Sequence, residues 1–153
     1  MSIQINEQTA RKLYPDSPEW LKKILIEEFG EEKLKQKDYE SIKSFEDACK
    51  ELGKKPSDVF SNTHLPDEIA YKKLKVIVKA INDEWIPDWR NSNEKKWYPW
   101  FNLSSGFGFS YSDYYDSGTY TDVGSRLCFN SAEKAEFAGM QFTDLYKEFL
   151  TIS

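Results

Sequence analysis

Apolar positions recur every three or four residues through the first half of the chain and alternate with small or polar ones in the second. That pattern predicts helices up to about Trp85 and strands beyond it. Asn6 to Tyr14 reads as a short helix halted by Pro15, because proline disfavours the α conformation in the residue before it. Ser17-Pro18-Glu19 supplies an N-cap, a proline at the first helical position and an acid at the positive end of the helix dipole. The helix that follows places Trp20, Leu21, Ile24, Leu25 and Phe29 on a core face and closes at Gly30. Glu31 to Lys43 alternates charges with few apolar residues, and is expected to be a solvated loop or loose helix anchored by Tyr39 and Ile42. Ser44-Phe45-Glu46-Asp47 resembles a capping box and opens a helix that runs through Leu52 to Gly53. The clearest stripe, Ala70, Leu74, Ile77, Val78, Ile81 and Trp85, predicts a central amphipathic helix from Pro66 to about Trp85. Lys72, Lys73, Lys75, Lys79 and Asp83 lie off that stripe and read as solvated.

Pro87 ends the central helix, and Asp88 to Asn93 reads as a turn. The block Trp97-Tyr98-Pro99-Trp100-Phe101 contains a proline that cannot donate to a ladder, which predicts an edge strand or extended arm. Its alternation puts Trp97, Pro99 and Phe101 on one face and Tyr98 and Trp100 on the other. Phe107 to Tyr111 alternates rings with Gly108 and Ser110, a strand with its rings on one face. Ser112 to Gly124 is expected to be a long mobile loop. Ser125 to Phe129 reads as a further strand, with Leu127 and Phe129 inward and Arg126 and Cys128 opposite. Ser131 caps a last helix that turns Ala135, Ala138, Phe142, Leu145, Tyr146 and Phe149 to the core. Gly139 inside that helix costs ~1 kcal/mol relative to alanine, so a close approach to another backbone is expected there, where the helix crosses the sheet. These elements describe an α+β fold: N-terminal helices, a central amphipathic helix, a small antiparallel sheet of aromatic-rich strands, and a C-terminal helix packed on the sheet. The expectation is one domain over 1–153, with a helical 1–43 part attached more loosely than the 44–153 core.

Composition then narrows the chemistry. A chain of 153 residues can bury a core without disulfide staples, and an aromatic content of 16% fills that core largely with rings. Cys49 and Cys128 are too few for a disulfide framework, and a single histidine leaves no cluster at metal-ligand spacing. Asp113, Asp116 and Asp122 lack the spacing of a calcium loop, so no cofactor or metal is expected. MSIQINEQTARKLY has no apolar signal core and no run reaches the length of a membrane span, which points to a cytoplasmic protein with no membrane partner. The net charge of −5 repels polyanions at long range. Against that, Cys49, Leu52, Gly53 and Val59 have the spacing of a helix-turn-helix, which would turn Lys54, Lys55, Ser57 and Ser61 toward nucleic acid. Asn62 stands where an apolar residue would lock the second helix, and Asp58 and Pro66 oppose the motif, so an ordinary helical corner is the favoured reading.

Four of the five tryptophans fall between Trp85 and Phe101, so this stretch either fills the core or forms a stacking surface. As a surface it would hold a partner through Asp88, Trp89, Asn91, Asn93, Tyr98 and Trp100, with Tyr114 and Tyr115 from the neighbouring loop. The segments NEKKWYPWF, GFGFSYSD and VGSRLCFNSAEKAEFAGMQFTDLYKEFL, following the central helix, resemble a family of small uncharacterised proteins encoded by bacteriophages and integrated elements of gut bacteria. The resemblance covers about residues 44–150, and WYPWF and GSRLCF are its specific parts. It implies a phage or prophage setting and carries no activity. No nucleophile, base and anion-holding group stand at a recognisable spacing, so an enzyme is the least favoured class. The leading expectation is a non-enzymatic accessory protein that binds a partner, chiefly protein, through the aromatic arm and loop. The alternative is a DNA- or single-strand-binding regulator using the helix-turn-helix corner or the aromatic sheet face.

Overall fold

The computed structural model describes residues 4–35, 38–104, 106–118 and 124–152. Contacts divide the chain into two compact units, Met1–Asp38 and Tyr39–Ser153. The fold is α+β.

In the first unit, α1 spans Glu7–Leu13, α2 Glu19–Phe29 and α3 Glu31–Leu34. Asn6 caps α1 by accepting the Thr9 N–H at 2.8 Å. Arg11 Nε donates to the Lys33 carbonyl at 2.8 Å, tying α1 to α3. The Ser17 hydroxyl donates back to the Leu13 carbonyl at 2.7 Å, so it does not cap α2, whose N-cap position falls on Pro18. The core is thin: Ala10, Leu25 and Leu34, with Leu21, Ile26 and Phe29 against them. Leu21, Leu25 and Phe29 are spaced by four and share one stripe, whereas Trp20 and Ile24 sit about a quarter-turn away and are exposed. The core face expected for all five therefore holds only three.

The second unit opens with the 3₁₀ turn Tyr39–Ser41, and Tyr39 and Ile42, the expected anchors of the charged stretch, pack on its core. Helix α4, Phe45–Glu51, is capped by Ser44, which accepts the Asp47 N–H at 3.1 Å, while Asp47 takes the Lys43 N–H at 3.1 Å. Gly53 turns left-handed at φ 63°, and the Lys54 N–H closes the helix on the Cys49 carbonyl at 2.8 Å. Beyond it only a 3₁₀ turn forms, Pro56–Asp58. A helix-turn-helix is therefore not built, because the segment up to Pro66 never presents an apolar stripe that a second helix could bury.

Helix α5 spans Pro66–Ile81 and buries Leu74, Ile77, Val78 and Ile81 as the stripe requires, with Val76 and Ala80 widening it. It stops short of Trp85. Asn82 is buried at its end, donating to the Cys128 carbonyl at 2.7 Å and accepting the Asn130 N–H at 3.2 Å. Asp83 and Glu84 then turn left-handed, at φ 52° and 60°. A side chain satisfied from a segment far along the chain, and not Pro87, ends the helix.

Strand β1, Lys96–Asn102, pairs antiparallel with β2, Gly108–Tyr115. The Trp97 N–H and C=O both bond Phe129, at 2.9 and 2.7 Å. The ladder groups of Trp97, and two residues on those of Pro99, therefore face away from β2, where a missing N–H removes nothing from the sheet. Across the sheet Trp100 faces Tyr111 but Phe101 faces Phe109, leaving Ser110 as the extra residue of a β-bulge. The bulge overturns the expected single face of rings: Phe109 joins Phe101 inward and Tyr111 joins Trp100 on the other side. β2 also absorbs Ser112–Tyr115, expected as loop; residues 119–123, with Asp122, lie outside the described residues. Ser125–Leu127 is a 3₁₀ turn, and Leu127, Cys128 and Phe129 are all buried, so the expected strand reduces to the Phe129 bridge.

Ser131 caps α6, Ala132–Gln141, by accepting the Lys134 N–H at 3.3 Å. The expected last helix is split: Phe142 leaves helical geometry, and α7, Thr143–Leu150, begins at a threonine whose hydroxyl donates to the Gly139 carbonyl at 2.7 Å. α6 packs on the sheet at Gly139. Tyr146 of α7 packs at a tilt beside Phe101, its ring centroid 4.8 Å away, and its buried hydroxyl has no hydrogen-bond partner among the described residues. Burial pushes this phenol above its usual range. Tyr146→Phe is expected to raise stability by about 1–2 kcal/mol, the cost of an unsatisfied buried hydroxyl, as measured by urea denaturation. A loss of stability would mean that the hydroxyl is bonded in solution.

Candidate functional site

The hairpin sorts the aromatic residues into an enclosed group and an open one. On one side of the sheet, Tyr98 and Tyr115 stack at 4.3 Å and 20°, and Trp89 leans on Tyr115 at 6.4 Å. Trp85, Trp89 and Cys128 complete this cluster. Tyr98 and Tyr115 are buried, so these two residues, expected at a partner surface, are core; Trp89 is half-buried against them.

Lys96, to which the sequence reading assigned no role, holds this corner together. Its side chain is 0% exposed and its ammonium donates to the carbonyls of Asn91 and Asp116, each at 2.8 Å. It also stands 3.8 Å from Glu94 and 5.3 Å from the centre of the Trp89 ring. The 88–94 turn is closed by its own polar groups. Asp88 Oδ1 accepts the Arg90 N–H at 3.0 Å, Asn91 Oδ1 the Asn93 N–H at 3.1 Å, and Glu94 the Asp88 N–H at 2.7 Å. Asp88 and Asn91 thus each spend one side-chain oxygen on the turn, and both stay exposed, as does Asn93. The Cys128 thiol donates to the Gly124 carbonyl at 3.1 Å, and burial pushes its pKa up to about 12, which makes it a poor nucleophile.

The open group lies where this cluster stops covering the sheet. Trp100 and Tyr111 stack directly across the strands at 5.1 Å and 12°, yet are 41% and 49% exposed. Tyr111 was not among the expected contact residues, since plain alternation groups it with Phe107 and Phe109; a bulge at Ser110 leaves no mark in the pattern. On the opposite face Tyr114 is exposed beside Trp97 at 4.9 Å, with the Lys95 ammonium 4.1 Å from its ring centre. The Trp97 bridge to Phe129 makes Trp97 and Tyr114 a pair without mutual hydrogen bonds, so the Tyr114 N–H points off the outer edge of β2, where the Asp113 carboxylate accepts it at 2.8 Å. Among the described residues no third strand pairs with that edge. What this arrangement offers chemically is a flat pair of rings beside an open strand edge.

Of the residues expected to face nucleic acid, Lys54, Lys55, Ser57 and Ser61 are all exposed, but no recognition helix carries them. The Ser61 hydroxyl is engaged with that of Thr63 at 2.7 Å. Among the described residues no group of His, Cys, Asp or Glu is arranged to hold a metal ion, and no helix is long and apolar enough to cross a membrane. Comparison with known proteins finds no matching family model, curated protein or solved structure.

Proposed function

We propose that the chain is a non-enzymatic accessory protein of a bacteriophage or prophage that holds a protein partner on the Trp100–Tyr111 side of its hairpin. The phage setting rests on the sequence resemblance. The observation that carries the binding reading is the stacked, half-exposed Trp100–Tyr111 pair in a unit whose other described rings, Tyr114 apart, are buried or half-buried. Tryptophan and tyrosine dominate the energetic centres of protein interfaces because they bury large area at low entropic cost. The neighbouring β2 edge favours a polypeptide partner, since an extended segment can add to a strand through its backbone. A nucleic-acid reading retains only its aromatic form, single-strand bases stacking on the same rings.

Extended peptides selected from a displayed library on the wild-type protein are expected to lose at least about tenfold affinity on Trp100→Ala or Tyr111→Ala, as interface aromatics do. They should be indifferent to Ile86→Ala, which removes a side chain that is 83% exposed. Selected peptides that ignore both aromatic substitutions would remove the assignment. Single-stranded DNA that protects tryptophan fluorescence, with steeply salt-dependent affinity, would replace the protein partner with nucleic acid.

A further inference from the structure

A second site lies away from the hairpin, in a groove of ≈ 500 Å³ between the α4 corner and α5. One wall is Leu52, Gly53, Lys54, Asp58 and Val59; the other is the Lys72, Lys75, Val76 and Lys79 face of α5. The lysines of α5 are spaced by three and four, so they form one row along the helix, adjacent to the buried stripe. Read along the sequence they are a solvated face. The fold places a fourth lysine opposite them, because Gly53 turns left-handed and the Lys54 N–H is fastened to the Cys49 carbonyl.

Four lysines and one aspartate line this groove in a chain whose net charge is −5. Lys79 is answered by Glu84 at 3.4 Å, but among the described residues no carboxylate pairs with Lys54, Lys72 or Lys75. Lys72 and Lys75 instead stand against ring side chains. The Lys72 ammonium lies 2.8 Å from His64 Nε2, and that of Lys75 lies 4.9 Å from the Tyr71 ring centre. These contacts steer the cations without neutralising them. Leu52, Val59 and Val76 add an apolar lining between them. The volume falls in the range of small-molecule sites, in a groove that is open to solvent on one side.

We propose that this groove binds a small organic polyphosphate of the nucleotide type, its phosphates among Lys54, Lys72 and Lys75 and its less polar body against Leu52, Val59 and Val76. Lysine serves here as a point charge, which suits the spread charge of phosphates. The site is independent of the aromatic hairpin, so either assignment can fail alone.

Titration calorimetry of the full chain with adenosine triphosphate, pyrophosphate, adenosine and citrate tests it. Binding is expected in the order adenosine triphosphate, then pyrophosphate, with adenosine and citrate at least about tenfold weaker than pyrophosphate, since they lack phosphate charge. Lys54→Gln and Lys75→Gln, one from each wall, should each weaken adenosine triphosphate about tenfold, the scale of one charge-assisted contact, with an unchanged melting temperature. Trp100→Ala should have no effect on it. The proposal is overturned by an absence of binding at millimolar ligand, or by a loss confined to Lys75→Gln, which would reduce the groove to a solvated helix face. Citrate binding as tightly as pyrophosphate would reduce it to an unselective anion trap and also overturn it. So would a single-stranded oligonucleotide that binds far more tightly than the nucleotide, making the groove a backbone track.

Discussion

Replacing Lys96 with methionine is expected to cost about 2–5 kcal/mol, the scale of leaving two carbonyls without their charged donor. Methionine keeps an apolar stem of similar length, so the loss isolates the ammonium. Its two carbonyl acceptors, Asn91 and Asp116, would be left without their 2.8 Å donor, at roughly 1–3 kcal/mol each if they stay dry. Because Asn91 lies in the turn before β1 and Asp116 follows β2, the effect should reach both strands at the open end of the hairpin. The Asn91 carbonyl also accepts the Glu94 N–H at 3.2 Å, and exchange of that amide with solvent deuterium should accelerate in the variant. Chemical denaturation of the variant measures the total. Stability within about 0.5 kcal/mol of wild type, the range of ordinary surface substitutions, would show that the ammonium does not tether the turn.

Gly139→Ala is expected to destabilise by about 2–3 kcal/mol, against the gain of ~1 kcal/mol that alanine brings to an ordinary helix interior. A β-carbon at this position would stand 2.4 and 2.7 Å from two carbons of the Phe109 ring and 2.8 Å from Pro99 Cβ. Neither neighbour yields easily: the Phe109 ring is wedged beside Phe101, and Pro99 is held in β1. α6 would have to lift from the sheet. Combining the change with Phe109→Leu should recover part of the loss, a coupling energy measurable by a double-mutant cycle of denaturation curves. A stabilising Gly139→Ala would mean that α6 does not approach the sheet this closely.

A close approach at Gly139 was legible in the sequence because a helix tolerates such a cost only for a reason, but what it meets is the Phe109 ring and the Pro99 side chain rather than the backbone expected. The Ser44 and Ser131 caps were equally open to reading, since a cap depends on residues three apart, but the same signal misled at Ser17, whose hydroxyl turns back to the Leu13 carbonyl. The hairpin was legible in outline. Its faces were not, because one extra residue at Ser110 exchanges which rings point inward, and composition is unchanged by the exchange. The same limit applies to α5: the apolar period continues to Trp85, but Asn82 finds the backbone of Cys128 and Asn130, partners that no local pattern contains.

The candidate sites divide similarly. Trp100 and Tyr114 were visible as aromatic residues of an arm and a neighbouring segment, whereas Tyr98 and Tyr115 carry the same signal and are core. A ring records its appetite for burial and not whether anything remains to cover it. What the sequence determined by itself is the α+β class and the starts of α4, α5 and α6, all set by contacts within a few residues. Which rings stay open, why a lysine is buried, and how Lys54 comes to face the lysines of α5 were decided by the tertiary structure. Each depends on two segments far apart in the chain competing for one face, and that competition is resolved only when the whole chain packs.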